Sequence, residues 1–333
     1  VPAEAIDWRR VVAFASAHMV LPAVASRLDR AAVTLPPEVR QFLGDMEAAN
    51  RARNEMLRAA LAGIGEALSG LGERPLVLKG GAFLVEAEDG EVAPWRFMSD
   101  LDILVAGTDC ETAVARIEGL GFARSREAGG ELQAHHAPPL ISPCGQFSVE
   151  VHTRLSAQGG PTPDEMRALA RAVGHGLDVP SPEDRLAHAI AHAQMHNRQA
   201  VSGRLVLKDI VDIQVLGDGL AIDAGLLGRL FASPRDRWAA GGLVAAAQAF
   251  WAARDFVATQ AEWAWAEGAL VRLRWPSWRA RLVLPGDTLR LDAFRLAHED
   301  GHMARRIAML ASPRLAGEAA RAWAYKQRQR LWA

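Results

Sequence analysis

Met98-Ser-Asp-Leu-Asp-Ile-Leu-Val105 is the stretch on which the reading of this chain turns. On a strand, residues two apart share a face, so Asp100 and Asp102 project together while Leu101 and Ile103 point into packing. Two carboxylates held that close repel unless a cation lies between them. A hard divalent cation such as Mg²⁺ prefers oxygen ligands and keeps water and phosphate in its shell. The same octapeptide also reads as a strand with two acids on its wet face, and alone it does not choose between the two.

The neighbouring sequence extends the pattern on both sides. Upstream, Pro75-Leu-Val-Leu78 is a short apolar run of the kind that makes a buried strand, followed by Lys79-Gly80-Gly81 and a helix start at Ala82–Ala87. Strand, glycine turn and helix N-terminus together can hold an anion, because glycine admits close approach and the free N–H groups point at it. Lys79 adds a cation. Arg96, just before the acidic strand, is suited either to a bidentate phosphate clamp or to an ion pair with the acidic turn at Glu88, Asp89 and Glu91. Downstream, Gln146-Phe-Ser-Val-Glu-Val-His152 alternates cleanly. Ser148, Glu150 and His152 fall on one face, which brings in a third carboxylate.

Further out the chain reads as helix. Residues 4–30 show an apolar face broken at Leu21–Pro22, and Pro36–Pro37 opens a longer helix from Glu38 to about Leu71. Asp109 to Leu120 reads as a helix closed by Gly121, Phe122–Arg126 as a strand, and Pro138–Pro143 as a turn-rich break. Gly159–Asp164 reads as a linker, after which the pattern is almost wholly helical. Ser181-Pro-Glu-Asp184 is a helix start, and the helix it opens carries His188, His192 and His196 on one face. A helix over Leu205–Leu216 carries Lys208, Asp209 and Asp212.

Composition narrows the class. The chain has 333 residues, half of them apolar, with a formal charge of −1, so no global field draws it to nucleic acid or membrane. From Val271 onward there are 13 Arg and Lys against 5 Asp and Glu, a local excess of +8 that suits an anionic acceptor. Two cysteines, Cys110 and Cys144, without a CxxC pair, argue against a disulfide framework and fit a reducing compartment. Early charges and no apolar h-region at the start, and no uncharged run long enough to span a bilayer, give an expectation of a cytoplasmic protein with no membrane partner.

Three carboxylates beside a glycine turn meet the needs of phosphoryl or nucleotidyl transfer: charge neutralisation at the transferred group, placement of the nucleophile, and a base for its proton. Through Leu78-Lys-Gly-Gly81, Arg96-x-Met98-Ser-Asp-Leu-Asp-Ile-Leu-Val105 and Val149-Glu-Val-His152, the chain resembles the polymerase-β-like nucleotidyltransferase superfamily. Within it, the chain is similar to bacterial nucleotidyltransferases found beside lasso-peptide and other peptide-modification genes. The resemblance implies an α+β fold with a mixed β-sheet core flanked by helices. It would comprise a helical N-terminal region (1–72), a nucleotidyltransferase core (73–158) and a helical C-terminal domain (159–333). It implies metal, Mg²⁺ or Mn²⁺, on Asp100, Asp102 and Glu150. It also implies a nucleotide, ATP or another NTP, on Lys79, Gly80, Gly81, Arg96 and Ser99. His152, His192, His196, Lys208 and Asp209 are candidate cleft-lining residues. The gap from Gly81 to Asp100 is longer than the superfamily's usual spacing, which leaves Lys79 or Arg96 to hold phosphate where a serine would. The implied reaction moves NMP onto an acceptor, either a ribosomally made peptide or a small hydroxylated molecule.

Other readings carry their own features. A toxin-like enzyme acting on tRNA fits the same core. A non-catalytic nucleotide-binding or partner module is opposed by the presence of all three carboxylates. His298-Glu299-x-x-His302 matches the zinc-protease helix pattern, but Asp300 and Gly301 are poor residues for the middle of a helix.

Overall fold

A computed structural model describes residues 6–31, 33–86, 93–125, 137–155, 159–251 and 256–273. The first three helices are α1 (Trp8–Ala17), α2 (Leu21–Arg30) and α3 (Pro37–Ala67). Then come β1 (Leu76–Val77), α4 (Lys79–Glu86), β2 (Asp100–Leu104), α5 (Cys110–Gly119), β3 (Ala123–Arg124), β4 (Leu140–Ile141) and β5 (Ser148–His152). A short α6 (Pro163–Ala168) leads to β6 (Arg171–Gly174) and β7 (Leu177–Val179). The described chain ends in helices: α7 (Pro182–Ala191), a π-helical turn (His192–His196), α8 (Gln199–Ser202), α9 (Leu207–Gly217), α10 (Ala224–Leu230), α11 (Pro234–Trp251) and α12 (Gln260–Leu273). None of the helices among the described residues is long and apolar enough to cross a membrane.

The strands form one mixed sheet of seven, in the order β3-β4-β5-β2-β1-β7-β6. The acidic strand β2 lies inside it, parallel to β5 and antiparallel to β1. An α+β architecture with a mixed sheet flanked by helices is therefore present. Two local expectations are corrected. Leu140–Ile141, inside the supposed turn-rich break, pairs with both β3 and β5. Residues 171–179, expected to be helical, add two strands to the sheet beyond β1. Both are two- to four-residue strands, too short to show an alternation.

Two main cores support the sheet and the helices. One packs Leu57, Leu61 and Ile64 of α3 against Leu101, Ile103, Val149 and Val151, the inward-facing side chains of β2 and β5. Each is fully buried and contributes on the order of 1.5–3 kcal/mol. The other joins Ala15, Leu21, Ala25 and Leu43 to α7, α9 and α11. The 31-residue α3 thus begins in one core and ends in the other. Midway along it, Asn50 and Asn54 donate side-chain hydrogen bonds to the carbonyls of Ala93, Pro94 and Arg96 at 2.7–3.1 Å. These bonds fix the approach to β2.

Candidate active site

The pairing of β2 with β5 places Asp102 opposite Glu150 and Leu104 opposite His152. Asp102 is buried. Its Oδ1 receives two donors, Lys79 Nζ at 2.6 Å and His152 Nε2 at 2.8 Å. His152 Nε2 also lies 3.5 Å from Glu150 Oε2. One ligand atom from each of Asp102, Glu150 and His152 falls within 4.8 Å of the others. Two carboxylates and an imidazole this close form a donor set that fits a divalent cation. The sequence reading put Asp100, not His152, in the converging group.

The electrostatics follow from burial and these contacts. Burial alone would push the Asp102 carboxyl up, but Lys79 and His152 outweigh it and hold it far below the usual carboxylate range. Among the described residues Asp100 has no such hydrogen-bonded partner, and the charges of Lys79 and Arg96 only partly offset its burial. Burial, reinforced by the Asp102 charge, raises it to about 6. Burial opposes the charged forms of Lys79 and His152, yet Asp102 raises both overall.

Lys79 sits at the first position of α4 with a left-handed φ of 47°. The helix therefore starts three residues earlier than the sequence suggests, and Gly80 and Gly81 lie in its first turn. Both glycines are buried. A Cβ on Gly80 would collide with Arg96 Nη1 and lie 2.6 Å from Met98 Sδ. One on Gly81 would lie 2.6 Å from Val77 Cγ1. The glycines thus let α4 press against the strands. Ser99 is exposed, and its carbonyl accepts a backbone bond from Ser148 at 3.3 Å, extending the β2–β5 ladder.

Arg96 is buried and pairs with Asp212 of α9 through two bonds of 2.8 Å, Nε to Oδ1 and Nη2 to Oδ2. The expected acidic turn at Glu88, Asp89 and Glu91 lies outside the described residues. Lys208 reaches the same Asp212 at 3.2 Å and lies 3.4 Å from Asp209, which accepts from Gln199 at 2.5 Å. Burial raises the Asp209 carboxyl, whereas Arg96 and Lys208 overcome burial and lower Asp212.

His188 and His192 line the same pocket as Lys79. Ser181 caps α7 by accepting from Asp184 N–H at 3.1 Å, as its Ser-Pro-Glu-Asp start predicts. His188 and His192 stand with ring centroids 6.4 Å apart, and His192 stacks on His196 at 5.0 Å. Burial, with Lys79 adding to it, drives His188 down to about 3 and His192 well below its ordinary value. Both rings are therefore neutral at physiological pH. A pocket between α4, α7 and α9 is lined by Lys79, Arg96, Arg185, His188, His192 and Lys208, among others. Arg185 was missed in the sequence, although it precedes His188 by three residues and so shares its helical face. His298, Glu299 and His302 lie outside the described residues, as does the basic segment beyond Leu273.

A family model described as "Uncharacterised nucleotidyltransferase" matches residues 4–251. The match spans the sheet, the carboxylate strands and the histidine helix. None of the curated proteins and none of the solved structures matches the chain.

Proposed function

Because the chain belongs to this uncharacterised nucleotidyltransferase family, we propose that it transfers NMP from an NTP, ATP in the first instance, to an acceptor hydroxyl with release of pyrophosphate. The observation that carries this reading is the convergence of Asp102, Glu150 and His152 beside Lys79 at the start of α4. Asp102, Glu150 and His152 would hold Mg²⁺ or Mn²⁺, with Asp100 at the edge of the set. Such an ion supplies charge neutralisation on the transferred phosphoryl group.

The chain's own groups do the rest. Lys79 and the first-turn N–H groups of α4, which a helix leaves without internal partners, receive the nucleotide phosphates. The acceptor oxygen bonds to the α-phosphorus as the bond to the pyrophosphate oxygen breaks. Asp100, with its carboxyl near 6 and on the same strand face, takes the hydroxyl proton. Neutral His188 and His192 wall the pocket without opposing the incoming phosphates. The acceptor is a peptide hydroxyl or a small hydroxylated molecule, and the reaction runs in the cytoplasm, where NTPs are available. The gene-neighbourhood resemblance favours a ribosomally made peptide of lasso type.

The test is incubation with α-phosphate-labelled ATP, Mg²⁺ or Mn²⁺ and a panel of hydroxylated acceptors, scoring label transfer and pyrophosphate release. Label should move with the wild type and not with Asp102→Asn. Equal transfer by that variant would remove the assignment.

A further inference from the structure

The pocket that Lys79 lines is also lined by Arg185, one of whose donors has no hydrogen-bond partner among the described residues. Lys79, Arg96, Arg185 and Lys208 bring four cations to the lining, against two carboxylates, Asp209 and Asp212. Most of these charges are already matched. Lys79 is engaged by Asp102, and Arg96 takes both oxygens of Asp212. Asp209 and Asp212 are in turn both in contact with Lys208.

Arg185 is different. Its side chain is only 8% exposed, and its guanidinium lies 4.6 Å over the Phe83 ring. Nη1 bonds to Glu86, a carboxylate shared with Arg171. Nη2 is buried and has no hydrogen-bond partner among the described residues. Burial lowers the pKa of Arg185 even with Glu86 in place, so this cation is under-compensated where it stands. A buried guanidinium donor left without an acceptor is unfavourable, and an oxyanion is the partner whose geometry its planar fork matches. Lys208 lies on the same lining and is 23% exposed. Its ammonium has three donors, and two carboxylates do not exhaust them. The neutral rings of His188 and His192 line the same pocket.

We propose that Arg185 and Lys208 form a second oxyanion subsite, which binds a phosphate-like acidic group on the acceptor. Lys79 and the start of α4 serve the nucleotide, so an oxyanion held by Arg185 of α7 and Lys208 of α9 belongs to the other substrate. That last assignment rests on the transfer reaction proposed above, whereas the subsite itself does not. The acceptor is accordingly an acidic molecule, with its hydroxyl reaching toward Asp100 while its anion is held on α7 and α9.

The experiment titrates the full chain with inorganic phosphate, followed by calorimetry and ³¹P line broadening, alone and with a saturating non-hydrolysable ATP analogue and Mg²⁺. Phosphate should bind in both conditions. Arg185→Gln should weaken it by about tenfold or more, the scale of a lost charged hydrogen bond. Arg185→Lys keeps a cation for Glu86 but lacks the second fork donor, and should show the same loss if the Gln variant fails to fold. Lys208→Gln, at a more exposed position, should weaken phosphate by several fold. Unchanged phosphate affinity in a folded Arg185 variant, or no phosphate binding by the wild type, overturns the subsite. Competition between analogue and phosphate overturns the acceptor assignment and gives Arg185 to the nucleotide's own phosphates. Failure of the analogue to bind at all overturns the transfer reading, while the phosphate titration still judges the subsite.

Discussion

Replacing Arg96 separates two roles that a buried arginine beside a glycine turn could have. Its guanidinium makes two 2.8 Å bonds to Asp212, with the two side chains 7% and 8% exposed. The pair ties the entry of β2 to α9, and Arg96 Nη1 also packs on Gly80. Removing Asp212 leaves the buried Arg96 charge without its counter-ion, a loss of about 3–5 kcal/mol, whereas removing Arg96 still leaves Asp212 its 3.2 Å contact with Lys208. Removing both, with apolar residues of similar volume, eliminates that penalty. Asp212→Leu should therefore lower unfolding free energy by that amount in urea melts at pH 7, and Arg96→Met by less, both with unchanged m-values. The double variant should fall far short of the sum and lie within about 1 kcal/mol of the wild type. It should also keep nucleotide affinity within a few fold, because the Nε–Nη2 edge is taken by Asp212 and one face lies 5.6 Å over the Phe83 ring. Additive losses, or an Asp212→Leu variant costing under about 1 kcal/mol, would refute the strut. A stable double variant that no longer binds nucleotide would return Arg96 to the phosphates.

Other expectations follow from the same geometry. Asp100 sits at about 6 against an ordinary 3.8, so the fold loses stability as pH rises from about 4 to 6, and the cost persists above. Asp100→Asn should then raise the melting stability of chelator-treated protein by up to about 3 kcal/mol at pH 8, with no gain below pH 4; an equal gain at both pH values would contradict the assignment. The same substitution should slow transfer. Gly80→Ala drives a methyl into Arg96 and Met98 and should cost about 1–3 kcal/mol. Gly63→Ala, in open space on α3, should instead gain about 0.5–1 kcal/mol, and denaturant midpoints compare the two. Lys79→Met should raise the Asp102 carboxyl and abolish phosphate contact at α4, read as lost analogue binding in a protein that still melts cooperatively.

How much of this was legible depends on sequence separation. The acidic strand and the Glu150–His152 strand are written in local periodicity and occur as read, whereas the helix that carries His188 ends at Ala191 and continues as a π-helical turn through His192–His196. That β2 and β5 are parallel neighbours is not local. It decides that His152, two residues beyond Glu150, reaches Asp102, where the sequence suggested a polar face and a cleft-lining role. Arg96 bonds to Asp212, 116 residues away, and no pattern near either residue announces the other. Strands β6 and β7 were missed because four and three residues cannot display a period. The packing role of Gly80 was not legible either: Arg96 and Met98 fill the space where a side chain would stand, contacts that the Lys-Gly-Gly turn does not announce. Arg185 carried a usable signal in its three-residue spacing to His188, but its orphaned Nη2 depends on Glu86 and Phe83 from another helix.

Calorimetry of the full chain with a non-hydrolysable ATP analogue, with and without Mg²⁺, tests the central claim most directly. The wild type should bind the analogue in a Mg²⁺-dependent manner, and the Asp100→Asn/Asp102→Asn variant should lose that dependence while remaining folded. Absence of binding for any NTP analogue by the wild type, or identical Mg²⁺-dependent binding by the double variant, would contradict a nucleotide site built on β2, β5 and the start of α4.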